Sequence, residues 1–240
     1  MKESAHQDTL VSAEENRRMF DRVAAHYDAA NWAMTLGWDR RWRRRAVDLL
    51  GLKKGSGQYL DVGTGTGDLA FEILDRSDTV LVTGIDPSEN MLKRARKKAL
   101  RWGRGDAVCF MVGDACALAF DADIFDGVIL GFCFRNIAHR QRALDEFYRV
   151  LKRGARVVIL EATVPENKLM RWGYCCYAKV LTTIARWLGD GKSYEYLMDS
   201  IFDFPPSDQV LEMFRQAGFV GVGQDKLAFG CVSVFYGEKA

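Results

Sequence analysis

The chain has 240 residues, 48% of them apolar, and its 34 basic side chains nearly balance the 32 acidic ones, leaving a net charge of +2. This composition excludes an intrinsically disordered chain and argues against a polyelectrolyte partner, so we expect a folded protein with no nucleic-acid partner. The apolar runs reach only about eight residues, whereas a membrane span needs roughly 20, so we expect no transmembrane helix.

The first fifty residues predict a helical lid. The opening MKESAHQDTL lacks the basic head and the apolar stretch of a secretory signal, and the six cysteines form no CxxC pair. We therefore expect a cytoplasmic protein without a structural metal site.

Further on, Phe20, Val23, Ala24 and Tyr27 fall at the spacing of one apolar helix face, and we predict an amino-terminal helical lid over residues 1–50.

Several arginines surround Trp42, with Trp38 just before them. Basic residues mixed with tryptophan are typical of surfaces that rest on anionic lipid, but a run of charge is also typical of an ordinary solvated helix face. Both interpretations stay open at this stage. The arginines are Arg40, Arg41, Arg43, Arg44 and Arg45.

Residues 55–164 alternate short β-branched runs with longer helical patterns, which predicts an open, mostly parallel α/β sheet. We expect each strand to be apolar on both faces, because helices cover both sides of such a sheet. The predicted strands are 59–62, 80–85, 108–112, 127–130 and 156–160, and the predicted helices are 67–74, 87–102 and 139–152. Pro87 is expected in the first turn of the second helix, and the third helix is expected to end before Arg153.

A glycine-rich turn follows the first of these strands, in the segment DVGTGTGD at 61–68. Glycines at a strand-to-helix turn let a ligand touch the backbone at the edge where open α/β sheets bind their ligands. A dinucleotide fingerprint needs G-x-G-x-x-G, but the third glycine comes one residue too early, and no Gly-Lys-Ser or Gly-Lys-Thr follows to make a P-loop. Because Asp61 and Asp68 bracket the turn, we expect a cationic or zwitterionic ligand rather than a diphosphate.

Carboxylates also follow the next two strands. Asp86 lies about 20 residues after the turn, where a carboxylate can accept from both ribose hydroxyls of a nucleoside. Its alternative role is an N-cap of the helix that follows Pro87. Asp114 ends the third strand, where it could accept from an adenine amine. Three acidic strand tips thus predict a nucleoside site that rejects phosphates.

The remainder of the chain predicts a helical cap and a closing strand pair. Residues 165–206 are rich in aromatics within a largely helical pattern, and we interpret them as a cap inserted over the core. A helix at 207–217 and antiparallel strands at 219–226 and 230–236 complete the chain. We find no linker or repeat, so residues 1–240 are predicted to form a single domain.

In order and spacing, the turn at 61–67, Asp86 and the segment 113–115 resemble the class I S-adenosylmethionine-dependent methyltransferases. Within that group, the chain is similar to the menaquinone and ubiquinone biosynthesis C-methyltransferases, which include demethylmenaquinone methyltransferase. The resemblance implies a Rossmann-like fold with a mostly parallel seven-stranded sheet, helices on both faces, and S-adenosyl-L-methionine as cofactor. The narrower resemblance is carried by FDRVAAHYD at 20–28, GTGD at 65–68, FRN at 134–136, YRVLK at 148–152, YEYL at 194–197 with Ser200 and Ile201, and the ending Gly218-Phe219.

The glycine turn and the resemblance together give the expected site. Where the family often has serine, this chain has Gly131, and where it usually reads Gly-Leu-Arg-Asn, this chain reads CFRN at 133–136. Cofactor contacts are expected at Asp61, Gly63, Thr64, Gly65, Thr66, Asp86, Pro87, Asp114, Ala115, Gly131 and Tyr27. Substrate contacts are expected at Tyr194, Tyr196 and Asn31, and catalytic roles at Arg135 and Asn136.

Each of these residues could instead have an ordinary structural role. Arg135 could bind and stabilise a phenolate oxygen with Asn136 as an orienting partner, or it could simply pair with a neighbouring carboxylate. His139 is a candidate general base or an ordinary surface residue at a helix start. The two tyrosines, Tyr194 and Tyr196, could wall the acceptor pocket or merely pack the cap.

The resemblance implies C-methylation of a prenylated quinol, most closely demethylmenaquinol. One alternative is a methyltransferase for another small aromatic or lipid molecule, and another is a cofactor-binding partner protein without catalysis. Because a prenylated acceptor resides in a membrane, a peripheral contact with the inner membrane face is a further expectation, and a homodimer is another.

Overall fold

A seven-stranded sheet forms the centre of the computed structural model, which describes residues 32, 34–187 and 191–240. The strand order is β3-β2-β1-β4-β5-β7-β6, and β7 runs antiparallel to both of its neighbours while the pairs from β3 to β5 are parallel. The predicted sheet is thereby confirmed. The strands are β1 (Gly57–Val62), β2 (Val80–Asp86), β3 (Val108–Val112), β4 (Phe125–Gly131), β5 (Leu151–Ala162), β6 (Phe219–Leu227) and β7 (Val232–Lys239).

Helices cover both faces of this sheet. The front helix predicted around 20–27, together with Tyr27 and Asn31, lies outside the described residues. The described helices are α1 (Asp39–Leu50), α2 (Asp68–Leu74), α3 (Glu89–Arg101), the short 3-10 helix η1 (Phe134–Asn136), α4 (Arg140–Val150), α5 (Lys168–Trp187), α6 (Gly191–Phe202) and α7 (Ser207–Gln216).

Alternation along the strands divides the core into two layers. In β4, Val128 belongs to the cluster beneath α4 and α7, whereas the next residue, Ile129, belongs to the cluster beneath α1, α2 and α3. Leu60 and Tyr59 divide in the same way in β1, because successive strand side chains point to opposite faces. Helix α1 contributes Ala46, Val47 and Leu50 to the second cluster, so its inner face is part of the core.

Two predicted helix ends are wrong, each for a local reason. Helix α3 begins at Glu89 after the N-cap Ser88, whose hydroxyl accepts from the backbone N–H of Met91, so Pro87 precedes the helix instead of opening it. Helix α4 ends at Val150 because Leu151 already has extended backbone angles and pairs with Phe125 in β4.

The expectation that every strand is covered on both sides fails at β3. This strand is the sheet edge, and Cys109, Met111 and Val112 are exposed. Arg96 of α3 donates from Nε and Nη2 to the Phe110 carbonyl at 3.3 and 2.8 Å. The edge therefore has a polar cover in place of a helix.

Helices α5 and α6 lie in the segment for which the sequence predicts a helical cap, and we refer to them as the cap. They share a small apolar cluster of three buried residues, Ala178, Met198 and Ile201, which is separate from the two layers of the sheet. Within the described ranges, no helix is both long enough and apolar enough to cross a membrane.

Candidate functional site

The glycine turn between β1 and α2 depends on backbone angles that favour glycine. Gly63, Gly65 and Gly67 have φ values of 65°, 55° and 91°. A Cβ on Gly63 would lie 2.5 Å from Sγ of Cys133, and one on Gly67 would lie 2.8 Å from the Phe71 ring, so these two glycines permit close packing. A Cβ on Gly65 would meet nothing within 4 Å, which leaves the backbone there open to a ligand.

Asp61 fixes this turn from below and keeps one oxygen unused. Its Oδ2 accepts from Oγ1 of Thr64 at 2.6 Å and from the backbone N–H of Ala70 at 3.1 Å. Its buried Oδ1 has no hydrogen-bond partner among the described residues. Burial, reinforced by the charges of Asp86 and Asp68, raises the pKa of Asp61 to about 7. A cationic donor would satisfy the unused oxygen and favour the ionised carboxylate.

Asp86 joins the tip of β2 to the glycine turn. Its Oδ2 accepts from the Gly65 N–H at 2.9 Å, and its Oδ1 accepts from the Ser88 N–H at 2.8 Å. Ser88, and not Asp86, is the N-cap of α3, so the alternative role for Asp86 is wrong in detail. Each carboxylate oxygen can accept more than one hydrogen bond, so this buried group is fixed in place yet still able to bind hydroxyls.

Two other polar residues of the turn are bonded to cations of neighbouring helices. Asp68 pairs with Arg43 at 3.0 Å and with Lys98 at 3.0 Å. Burial alone would raise the pKa of Asp68, but these two cations outweigh it and lower the pKa. Lys98 also donates to the buried Thr66 hydroxyl at 2.9 Å. Two cations of the protein thus offset the charge on which the expected repulsion of a diphosphate by Asp68 depends, and the Thr66 hydroxyl accepts one of its hydrogen bonds from Lys98.

We call the edge of the sheet that carries Asp61, Asp86 and the glycine turn the rim. Its remaining predicted positions lie at the ends of β3 and β4. Asp114, just after β3, is exposed, and its Oδ1 accepts from the Cys116 N–H at 2.9 Å, while Ala115 lies against the core. At the end of β4, a Cβ on Gly131 would lie 2.6 Å from Cδ1 of Leu69. Leu69 thus occupies the space that a serine side chain would need. The structure brings Asp61, Asp86 and Asp114 to the tips of three neighbouring strands, as predicted.

Arg135 forms a buried ion pair, which confirms the alternative interpretation of this residue. Its Nη1 lies 2.7 Å from Oε1 of Glu161, and the two side chains are 7% and 0% exposed. The Arg135 backbone N–H donates to Oε2 of Glu161 at 3.0 Å, and its Nη1 also donates to the Phe132 carbonyl. Its Nε donates to Oγ of Ser200 on α6 at 3.1 Å, so the guanidinium connects the sheet to the cap.

Asn136 makes a second connection to the same cap helix. Its Oδ1 accepts from the Tyr196 hydroxyl at 3.1 Å. Its Nδ2 is buried and has no hydrogen-bond partner within the part of the chain that the structure describes. Tyr194 lies half-buried two residues earlier on α6. The structure therefore brings Arg135, Asn136 and Tyr196 together, as predicted.

Sequence reasoning missed Glu161 and Arg140 of this cluster, and it included Ser200 only as part of the family resemblance, without its contact to Arg135. Glu161 lies inside β5 in an otherwise apolar run, and Ser200 is 65 residues from Arg135, so no local pattern indicates either contact. Arg140 donates to the Phe134 and Arg135 carbonyls at 3.2 and 2.6 Å, and burial lowers its pKa. His139, in contrast, is exposed at the start of α4, as its surface alternative predicts.

Three of the five arginines around Trp42 form ion pairs within the protein, although all except Arg43 are exposed. Arg43 lies 2.8 Å from Asp39 and reaches Asp68, and Arg45 lies 2.5 Å from Asp225. Arg44 lies 3.8 Å from Glu72. Trp42 packs edge-on against Phe132 with ring centroids 6.4 Å apart. The segment therefore combines ion-paired and exposed arginines, and its contact with lipid stays a prediction.

Comparisons with known proteins extend over almost the whole chain. Residues 8–239 match the model of the ubiE/COQ5 methyltransferase family. The ubiquinone/menaquinone biosynthesis C-methyltransferase UbiE of Syntrophotalea carbinolica is 40% identical over 229 residues, which cover 95% of each chain. The demethylmenaquinone methyltransferase of Thermus thermophilus is 40% identical over 223 residues, or 92% of this chain and 100% of that relative.

Solved structures share the fold at lower identity. A phosphoethanolamine N-methyltransferase 2 from Haemonchus contortus, in complex with S-adenosyl-L-methionine, has a TM-score of 0.65 at 17% identity and covers 98% of this chain and 60% of its own. A SAM dependent methyltransferase from Aquifex aeolicus has a TM-score of 0.58 at 19% identity, and the match covers 82% of this chain and 89% of that protein.

Proposed function

Because the chain belongs to the ubiE/COQ5 methyltransferase family, it is an S-adenosylmethionine-dependent methyltransferase of quinone biosynthesis, and we propose that it methylates a ring carbon of a prenylated quinol, with demethylmenaquinol as the acceptor. The observation that best supports an aromatic acceptor is the amide of Asn136. Its buried Nδ2 is a donor without a partner among the described residues, and it follows directly after the buried Arg135–Glu161 pair.

The rim residues fit the cofactor. The unused Oδ1 of Asp61 suits the ammonium of its amino acid portion, and the fixed carboxylate of Asp86 suits the ribose hydroxyls. The open side of Gly65 admits the ligand next to the backbone. When bound, S-adenosylmethionine would supply a methyl group on a positively charged sulfur for in-line attack by a ring carbon. The C–S bond would break as the C–C bond forms, so that S-adenosylhomocysteine leaves and the ring loses one proton to water.

The protein's own task is to raise the nucleophilicity of the ring carbon. Loss of a proton from a neighbouring ring hydroxyl does this, and a donor to the resulting oxygen lowers the pKa of that hydroxyl. We assign this contact to Nδ2 of Asn136, with the Tyr196 hydroxyl fixing the amide through its Oδ1. Glu161 offsets much of the charge of Arg135, so we assign Arg135 to positioning η1 and α6.

Labelled methyl transfer tests this function directly. The purified chain should transfer label from S-adenosylmethionine to demethylmenaquinol in detergent, and Asn136→Ala should slow that transfer by about 100-fold or more without weakening cofactor binding. Asn90→Ala, an exposed asparagine on α3, is the matched control and should behave as the parent protein. Transfer only to a soluble phenol would remove the quinol assignment, and tight cofactor binding without any turnover would indicate a non-catalytic protein.

A prenylated acceptor resides in a bilayer, so we also propose that the chain makes peripheral contact with the cytoplasmic face of the inner membrane. The expected homodimer stays a prediction, which sedimentation velocity can test in the same preparations.

A further inference from the structure

Helix α5 presents a continuous row of exposed side chains on the outside of the cap. Four large apolar residues in this row are each more than half exposed, although burial is the norm for such side chains. Their spacing follows the helical repeat, with Cys176 and Thr183 completing the row, which extends for about 27 Å along one helix face. The four are Leu169, Trp172, Val180 and Trp187.

Basic residues border this row along its whole length. Each of the four apolar residues directly follows a lysine or arginine, and α5 contains no aspartate or glutamate. The basic residues are Lys168, Arg171, Lys179 and Arg186, of which Arg186 forms an ion pair with Glu195 of α6 at 2.6 Å. Tryptophan and leucine on one helix face, with lysine and arginine beside them, are typical of helices that lie in the interface of an anionic bilayer.

The segment before α1 widens the apolar surface. Trp32, Leu36 and Trp38 are also more than half exposed. The hydroxyl of Tyr177 on α5 donates to the Met34 carbonyl at 2.6 Å, which connects this segment to the helix. An apolar surface of this extent marks an interaction site rather than scattered exposure.

The opposite face of α5 is directed toward the site. Tyr174 packs against Phe202 of α6 with ring centroids 6.1 Å apart, and Ala178 belongs to the cap cluster. Helix α6 in turn carries Tyr196 and Ser200, which bond to Asn136 and Arg135. The cap thus separates the exposed row from the residues assigned to the acceptor by two layers of helix.

We propose that the exposed row of α5, widened by residues 32–38, docks on an anionic lipid surface and holds the acceptor site over the bilayer. This inference rests on the proposed function for its purpose, but the docking itself needs neither cofactor nor acceptor. The arginines around Trp42 are less suited to the role, because three of them form ion pairs within the protein.

Helix α3 supplies a matched control. It is more basic than α5, but among its large apolar side chains only Leu100 is prominently exposed. If basic charge alone caused lipid binding, α3 would bind lipid as well as α5 does. Substitution of Leu100 removes an exposed apolar side chain from a basic helix without an apolar row, whereas substitution of Trp172 removes one from the row itself.

Vesicle co-sedimentation without cofactor or acceptor tests the proposal. The full chain should bind vesicles of phosphatidylglycerol mixed with phosphatidylcholine at least about tenfold more tightly than phosphatidylcholine alone. Trp172→Ser combined with Trp187→Ser should reduce that binding by at least about tenfold, whereas Leu100→Ser should leave it unchanged. Equal binding by the parent and the double variant, or no binding by either, would overturn the proposal. The proposal would also be overturned if the parent protein formed a dimer that does not bind vesicles and that dissociates in the double variant. The row would then be an interface between two copies of the chain.

Turnover separates this inference from the proposed function. The double variant should methylate a quinol with a short, water-soluble tail at the parental rate and lose activity only toward acceptor embedded in vesicles. Loss of activity toward both acceptors would count against a docking role. If the parent protein methylates neither acceptor, the proposed function fails, and vesicle binding alone decides the docking surface.

Discussion

The rim of the sheet and the cap differ in what holds them in place. At the rim, Asp61 and Asp86 bond to the backbone N–H groups of Ala70 and Gly65, above two extensive layers of buried side chains. Among its described residues, the cap has a cluster of three buried ones, and it is connected to η1 by the side-chain bonds of Tyr196 with Asn136 and of Ser200 with Arg135. The half assigned to the cofactor is therefore set by main chain, and the half assigned to the acceptor depends on a few polar contacts.

This difference has a functional logic. A cofactor of constant shape suits a preorganised rim, whereas an acceptor with a long tail needs an enclosure that can open. Substitutions at the rim should change stability or cofactor affinity, and substitutions in the cap should change turnover of the acceptor. Four experiments can break or sharpen that separation.

Glu161 pairs with Arg135, which connects the two regions, and we therefore call this pair the joint. Loss of Glu161 should have the largest effect on stability. Glu161→Ala leaves the buried guanidinium of Arg135 without its counter-charge, which should lower the free energy of unfolding by about 3–5 kcal/mol in chemical denaturation. Glu166→Ala removes an exposed pair with Lys226 and should cost less than about 1 kcal/mol. Equal effects of the two substitutions would show that the joint is not structural.

Asp61 should give the rim a characteristic pH dependence. Because its pKa in the folded state is about 7, the folded protein retains a proton that the unfolded chain releases near pH 4, so this group lowers stability as pH rises from 4 to 7. Asp61→Asn should therefore gain about 4 kcal/mol relative to the parent over that range, measured by denaturation at each pH.

Asp68 in the same turn is the matched control for Asp61. Its pKa is lowered in the folded state, so the ionised group stabilises the fold above pH 4 and that contribution is lost as pH falls. Asp68→Asn should then lose stability relative to the parent as pH rises through 4. The same sign for both variants would contradict the assigned environments.

Asp86 should govern cofactor affinity. Asp86→Ala removes charge-assisted bonds of about 1.5–3 kcal/mol each, so calorimetry should show S-adenosylmethionine binding at least about tenfold more weakly. Asp78→Ala, which removes a highly exposed carboxylate paired with Arg104, should leave the affinity unchanged. Unchanged affinity in the Asp86 variant would disprove the nucleoside site.

Tyr196 should show the smallest effect and confine it to the acceptor. Tyr196→Phe removes one hydrogen bond to Asn136, worth about 1 kcal/mol, so kcat/KM for the quinol should fall about fivefold while cofactor affinity stays constant. Tyr177→Phe removes a cap hydroxyl that bonds to Met34 and should leave kcat/KM for a soluble acceptor unchanged. A change in cofactor affinity in the Tyr196 variant would mean that rim and cap are not separable.

The sequence is informative where chemistry is local. The β-branched runs predict five strands, and the glycine turn with Asp86 predicts the rim, because each signal lies within one strand and its following turn. Contacts between distant segments carry no such signal. Glu161 looks like one polar residue in an apolar strand, and only the fold brings it to Arg135, 26 positions earlier. The direction of Thr66 was unpredictable for the same reason, since Lys98 lies on another helix.

The guanidinium of Arg96 has a consequence beyond the site. A sheet that ends in an open strand offers carbonyl and amide groups to any extended chain that approaches, and such addition is a route to aggregation. In β3 the carbonyl at the middle of the strand is already engaged by Arg96. This one side chain interrupts the row of acceptors, so we expect Arg96 to disfavour the addition of a further strand at this edge.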